Sequence, residues 1–217
     1  MARRYDSTRR KAQARATRRR IIAAASELFV DKGYAATSIA AVADAAGVAP
    51  QTVHTAFGSK SRLLGEAVDT ALTGDDEPVA VIDRPELRAA LTHTDPDAAA
   101  RSFARAATAV LRRAGRLIHA ADAAAASDED LDALCRAGHR ARLEDMRTTA
   151  AAFQSAGILR RGISPDAAAD LMWLLASPDA FHSCTVHRGW SPSRFEGWLA
   201  DTLRGTVLGR AEPHADY

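Results

Sequence analysis

Residues 37–60 read Thr37-Ser38-Ile39-Ala40-Ala41-Val42-Ala43-Asp44-Ala45-Ala46-Gly47-Val48-Ala49-Pro50-Gln51-Thr52-Val53-His54-Thr55-Ala56-Phe57-Gly58-Ser59-Lys60. This stretch encodes two short amphipathic helices. Thr37 or Ser38 can cap the first, because a side-chain oxygen satisfies an amide that the first helical turn leaves without a partner. Ile39, Val42, Ala43 and Ala46 then share one face. Gly47 breaks the helix, since glycine turns the chain without a Cβ clash. Pro50 suits the first position of a second helix over 50–56, where its missing N–H is not needed. Val48, Val53 and Phe57 face inward, which leaves Gln51, Thr52, His54 and Thr55 outside. Gly58-Ser59-Lys60 is a tight link, and Ser59 can cap a further helix running to about Leu72.

Upstream, helical periodicity starts near Ala16. Ile21, Ile22, Ala25, Leu28 and Phe29 recur at three- and four-residue spacing, and Gly33 is expected to end this helix. Residues 1–20 hold nine basic residues and one acid, Asp6. Residues 1–14 have little to bury and are expected to be a basic flexible arm. It is either a solvated tail or an arm that reaches phosphates or an adjacent minor groove.

A supporting helix followed by two helices across a Gly-containing turn makes a helix-turn-helix. Helix 38–45 braces and helix 50–56 reads, because a two-turn helix fits the major groove with its outward side chains at base edges. Pro50 opens that helix. Gln51 can pair with adenine through two hydrogen bonds, Thr52 and Thr55 can reach a base or a thymine methyl, and His54 lies on the same side. Lys60 is placed for a phosphate. Thr37, Ser38 and the backbone amides beside them can hold another.

The joint pattern resembles the DNA-binding domain of TetR-type transcriptional regulators. The matching stretches are Ile22-Ala23-Ala24-Ala25 through Leu28-Phe29, Lys32-Gly33-Tyr34, Thr37-Ser38-Ile39, Ala43-Asp44-Ala45-Ala46-Gly47-Val48, Thr52-Val53, Phe57 and Ser59-Lys60-Ser61-Arg62-Leu63-Leu64. Ala49, Gln51 and His54 stand where the family usually carries Ser, Gly and Tyr.

The remainder of the chain also reads as helical. The 217 residues include 50 Ala, with aromatic residues at 6%. Ala favours helices, whereas strands favour β-branched and aromatic side chains. Residues 73–85 are expected to be a linker, and helices are expected near 86–93, 96–113, 115–126, 128–156, 165–177 and 192–209. Gly115 is expected as a break, and Ser127 with Asp130 as a capping-box-like start. The expected organisation is all-α. A basic arm covers 1–14, a three-helix helix-turn-helix domain 15–64, and a helical effector-binding and dimerisation domain 65–217.

Charge divides in the same way. Residues 1–65 carry 12 basic and 4 acidic side chains, a net of +8, and residues 66–217 carry 17 and 23, a net of −6. A basic front suits a polyanion.

Leu171 to Leu175, Trp190 and the run Trp198-Leu199-Ala200-Asp201-Thr202-Leu203 resemble the closing helices of the same family. The resemblance implies a four-helix homodimer interface, here Trp173, Phe195, Trp198, Leu199, Thr202, Leu203 and Val207, with intrachain core as the alternative. A twofold dimer implies a near-palindromic operator read in major grooves about 34–36 Å apart, or a multiple of that spacing. The family's middle helices imply an effector pocket for an apolar or aromatic small molecule. Its candidate lining is Phe103, Val110, Leu117, Leu143, Met146, Phe153, Trp173 and Phe181, each of which plain core also explains. His119, His139 and His182 can orient a polar group or serve as ordinary surface or capping residues.

The function expected is a cytoplasmic, ligand-responsive repressor that binds double-stranded operator DNA and is released by a small molecule. The alternatives are a non-specific nucleoid-type DNA binder, or a metal- or redox-responsive regulator built on Cys135, His139, His182, Cys184 and His187. The sequence has no Gly-x-Ser-x-Gly, phosphate loop or dinucleotide fingerprint, so no enzyme and no cofactor are expected. No membrane span is expected, because no run approaches about 18 apolar residues.

Overall fold

The computed structural model describes residues 2–74, 88 and 91–209. The expected helix at 86–93 and most of the expected linker lie outside them. The described elements are helices α1 (Ala2–Ala36), α2 (Ile39–Ala46), α3 (Pro50–Phe57), α4 (Lys60–Thr73), α5 (Pro96–Ala125), α6 (Glu129–Ser155), α7 (Pro165–Leu175), α8 (Pro178–His182) and α9 (Pro192–Thr206), with a π-helical turn, Ser183–His187, between α8 and α9. The fold is all-α. Among the described residues the β pairing is one isolated bridge, Leu159 with Leu208.

The chain forms two compact units, Met1–Thr70 with Ala120–Cys135, and Ala71–His119 with Arg136–Tyr217. The first unit therefore includes α4 to Thr70 and the corner between α5 and α6. The sequence-based division at 64/65 had placed both with the rest of the chain. In this unit α1 buries Ile21, Ile22, Ala25 and Phe29, and α2 to α4 bury Val42, Ala43, Val53, Phe57, Leu63 and Leu64. Each large side chain so buried stabilises the module by about 1.5–3 kcal/mol.

Serine caps recur. Ser38 Oγ accepts the Ala41 amide at 3.1 Å, and Ser164, Ser177 and Ser191 cap α7, α8 and α9 in the same way. Each of those three is followed by Pro at the first helical position, as its fixed φ favours.

The structure departs from the sequence expectations at four places. Helix α1 runs back to Ala2 through the stretch expected to be an arm. Arg, Ala and Gln dominate there and are good helix formers. Gly115 does not break the chain: α5 is continuous from Pro96 to Ala125, and a Cβ at Gly115 would lie 3.5 Å from the Phe181 ring. That is an ordinary contact distance, so the helix passes through this glycine without a turn and without a steric demand for it. Helix α6 is capped by Asp128, whose Oδ1 accepts the Leu131 amide at 3.1 Å, while the Ser127 hydroxyl donates back to Ala124. The segment between the helices expected near 165–177 and 192–209, for which no element was expected, forms α8 and the π-helical turn.

The second unit buries one core that joins Phe103 and Leu111 of α5, Met146 and Phe153 of α6, Met172 of α7, Phe181 of α8, and Phe195, Leu199 and Leu203 of α9.

Candidate nucleic-acid interface

The turn between α2 and α3 is set by Gly47, which sits in the left-handed region at φ 63° and ψ 44° and donates its amide to α2 carbonyls. A Cβ in that conformation costs about 1–2 kcal/mol. Pro50 then starts α3 behind Ala49, which supplies no capping oxygen. Val53 and Phe57 pin α3 to the module, and Pro50, Gln51, Thr52, His54 and Thr55 are all exposed. The Thr55 hydroxyl donates to the Gln51 carbonyl at 2.8 Å and orients its methyl. Five of the predicted reading residues are thus brought together on one free face.

The C-terminal end of α3 is clamped by Arg18. Its guanidinium lies 4.4 Å from the Phe57 ring centroid, donates to the Ala56 carbonyl at 2.9 Å and pairs with Glu66 of α4. Sequence reasoning counted Arg18 only as one of a basic run. Its spacing from the buried Ile21 and Ile22 was the available signal.

Three residues assigned to phosphate behave differently from one another. Ser38 is exposed, with its oxygen committed to the α2 cap. Thr37 is corrected: it is 1% exposed, and its hydroxyl faces the Gly33 carbonyl at 2.8 Å and the Leu28 carbonyl at 3.1 Å. It ties α1 to α2 and offers no group to DNA. Lys60 has partners within the module. It is half-buried, donates from Nζ to the Tyr34 carbonyl at 3.0 Å and lies 4.1 Å from the Tyr34 ring centroid. Tyr34 in turn stacks on Phe29 and donates its hydroxyl to Asp128 Oδ2 at 2.5 Å. Burial, then that bond, raises the Tyr34 pKa, so the phenol keeps its proton. The same bond lowers the Asp128 pKa and keeps the carboxylate charged.

The residues proposed for an effector pocket are mostly core. Phe103, Leu117, Met146, Phe153 and Phe181 are buried, while Val110, Leu143 and Trp173 are half-buried. Arg142 covers the Trp173 ring at 4.3 Å and His139 meets its edge. His119 and His182 stack at 3.9 Å, with the edge of His187 against His182 and Asp179 Oδ1 3.3 Å from His119 Nδ1.

The expected dimer face is corrected for four residues. Phe195, Leu199, Leu203 and Val207 are all but fully buried within their own chain. They complete the second unit's core, and their apolar character reflects that. Trp198 and Thr202 are half-buried, and Leu174 is 59% exposed.

Burial, then Asp122, pushes the Cys135 thiol up to about 12, which disfavours the thiolate. Among the described residues no His, Cys, Asp and Glu group has the makings of a metal site, and no helix is long and apolar enough to cross a membrane.

Residues 21–67 match the bacterial regulatory proteins, tetR family. The match falls on the three-helix module, on the residues that had suggested the resemblance. No curated protein matches the chain in sequence. Among solved structures, a protein described as a transcriptional regulator from Saccharomonospora viridis, in complex with choline, is 20% identical, with a TM-score of 0.69 over 89% of this chain and 98% of that one. NalD, the secondary repressor of the MexAB-OprM multidrug efflux pump in Pseudomonas aeruginosa, is 19% identical, with a TM-score of 0.65 over 92% and 100%. SmeT, the repressor of the Stenotrophomonas maltophilia multidrug efflux pump SmeDEF, is 21% identical, with a TM-score of 0.66 over 91% and 93%. At these identities the likeness is one of fold.

Proposed function

We propose that this chain is a cytoplasmic, ligand-responsive transcriptional repressor that binds a near-palindromic operator as a homodimer. The observation that carries the reading is the free polar face of α3, held from behind by Val53, Phe57 and Arg18. Gln51 and Thr55 contribute base recognition, with Thr52, His54 and the uncapped start of α3 beside them. The module at 15–64 reads DNA, and residues 65–217 bind the effector and pair with a second copy. Trp198, Thr202 and the exposed Leu174 are the residues left available for that pairing. The effector is a small molecule with an apolar or aromatic body. Its binding favours a dimer whose reading helices no longer match the operator spacing.

Selection of random duplex DNA by the full chain, followed by footprinting, tests the reading. One bounded, near-palindromic site is expected. Uniform coating of the duplex would replace it with the non-specific, nucleoid-type reading. Thermal-shift screening of small molecules, followed by operator release, then identifies the effector class.

A further inference from the structure

Lys60 carries a charge beside the reading head, and its ammonium is turned inward to Tyr34. Tyr34 is nearly fully buried, and its polar and aromatic groups each hold a different part of the module. Its carbonyl and ring hold Lys60, its ring stacks on Phe29, and its hydroxyl reaches Asp128. Asp128 divides its carboxylate between two tasks: Oδ2 accepts from Tyr34 and Oδ1 caps the first turn of α6 at Leu131. The link from the first residue of α4 to the first turn of α6 is therefore continuous, bond by bond. Residues 120–135 belong to the DNA-binding unit, yet the helices on either side of that corner, α5 and α6, continue into the other unit.

We infer that Asp128, Tyr34 and Lys60 form a positioning relay between the α3–α4 corner and the first turn of α6. The inference rests on the DNA-binding reading and adds how the reading head is restrained. Lys60 opens α4 directly after the Gly58-Ser59 link, so its position fixes where α3 ends and α4 begins. Engagement of α3 by DNA restrains Lys60 and Tyr34, and through Asp128 it steadies the α6 cap. By reciprocity, a displaced α6 cap weakens DNA binding by the same factor.

The test uses the full chain and a selected operator duplex. Operator binding by the wild-type protein is expected to slow amide exchange over 129–135 by about threefold or more, since that turn opens less often when its cap is steadied. Tyr34→Phe keeps the ring under Lys60 and removes the hydroxyl. It is expected to bind the same footprint without slowing exchange at 129–135. Asp128→Asn retains a capping oxygen and gives the same result if Tyr34→Phe alters the fold. Lys60→Ala is expected to weaken operator binding severalfold while leaving its salt dependence unchanged, whereas loss of a direct phosphate contact would lower the slope by about one. The relay is overturned by unchanged exchange in the wild type, by slowing that persists in both Tyr34→Phe and Asp128→Asn, or by the lower slope in Lys60→Ala. Absence of any selective duplex binding removes the DNA-binding reading itself, and the relay falls with it.

Discussion

Helices α3 and α9 were both picked out from sequence as contact faces, and they turn out to be opposites. On α3 the chosen residues are polar apart from Pro50, and all are exposed. On α9 the chosen residues are mostly apolar, and Phe195, Leu199 and Leu203 are buried in the protomer's own core. A polar side on a helix whose other side is apolar has few reasons to exist except to meet water or a polar partner. An apolar side has two, a core and an interface, and helical spacing is identical in both.

Four measurements press on that contrast. The largest effect is expected for Phe195→Ala, which should cost about 3–5 kcal/mol in chemical denaturation because a fully buried ring leaves a cavity. A stable variant that merely loses its partner would return α9 to the interface and undo the distinction. Gln51→Ala should leave stability alone and lower discrimination between operator variants by about 1–3 kcal/mol, seen by binding to a randomised operator library. Equal losses on every sequence would take Gln51 out of base reading. Ser38→Ala should destabilise the module by about 1 kcal/mol, because the Ala41 amide loses its cap. An unaltered melting curve would mean that water replaces the cap.

The smallest effect concerns His182. Burial, then His119 and His187, holds its pKa below the ordinary imidazole value. The unfolded chain regains that ordinary value, so it binds more protons than the folded one in the window just below about pH 6.5. Stability should therefore fall as pH is lowered through that window, and His182→Gln should flatten this part of the dependence. A slope identical in the two proteins would assign the pH effect to other groups.

The helix-turn-helix was legible because its punctuation is local. Ser38, Gly47 and Pro50 act on the backbone within a few residues, and Val53 and Phe57 show which side is inside. Gly115 was misread because a glycine inside a long helix looks, in sequence, like a glycine that ends one, and the flanking turns carry it through. The contact of Lys60 with Tyr34 was missed for a related reason. The sequence position of Lys60 suits a phosphate, but its partner Tyr34 lies 26 residues away. Asp128, further still, was legible only as a place where a helix starts. Interactions that join distant segments leave no periodic trace, and the relay is made of such interactions.

The clamp formed by Arg18 bears on electrostatics at larger scale. The net +8 of residues 1–65 suggests a broad set of cations facing the duplex. Yet Arg18 is paired with Glu66 and laid over Phe57, and Lys60 is turned towards Tyr34. Each has partners within the module, so an ion on DNA is displaced only where those partners are given up or shared. Each phosphate contact adds about 0.9 to the slope of log affinity against log salt, so a slope forecast from all the basic residues would be too steep. The formal charge sets a ceiling on counterion release, and the inward-turned cations place the true number below it.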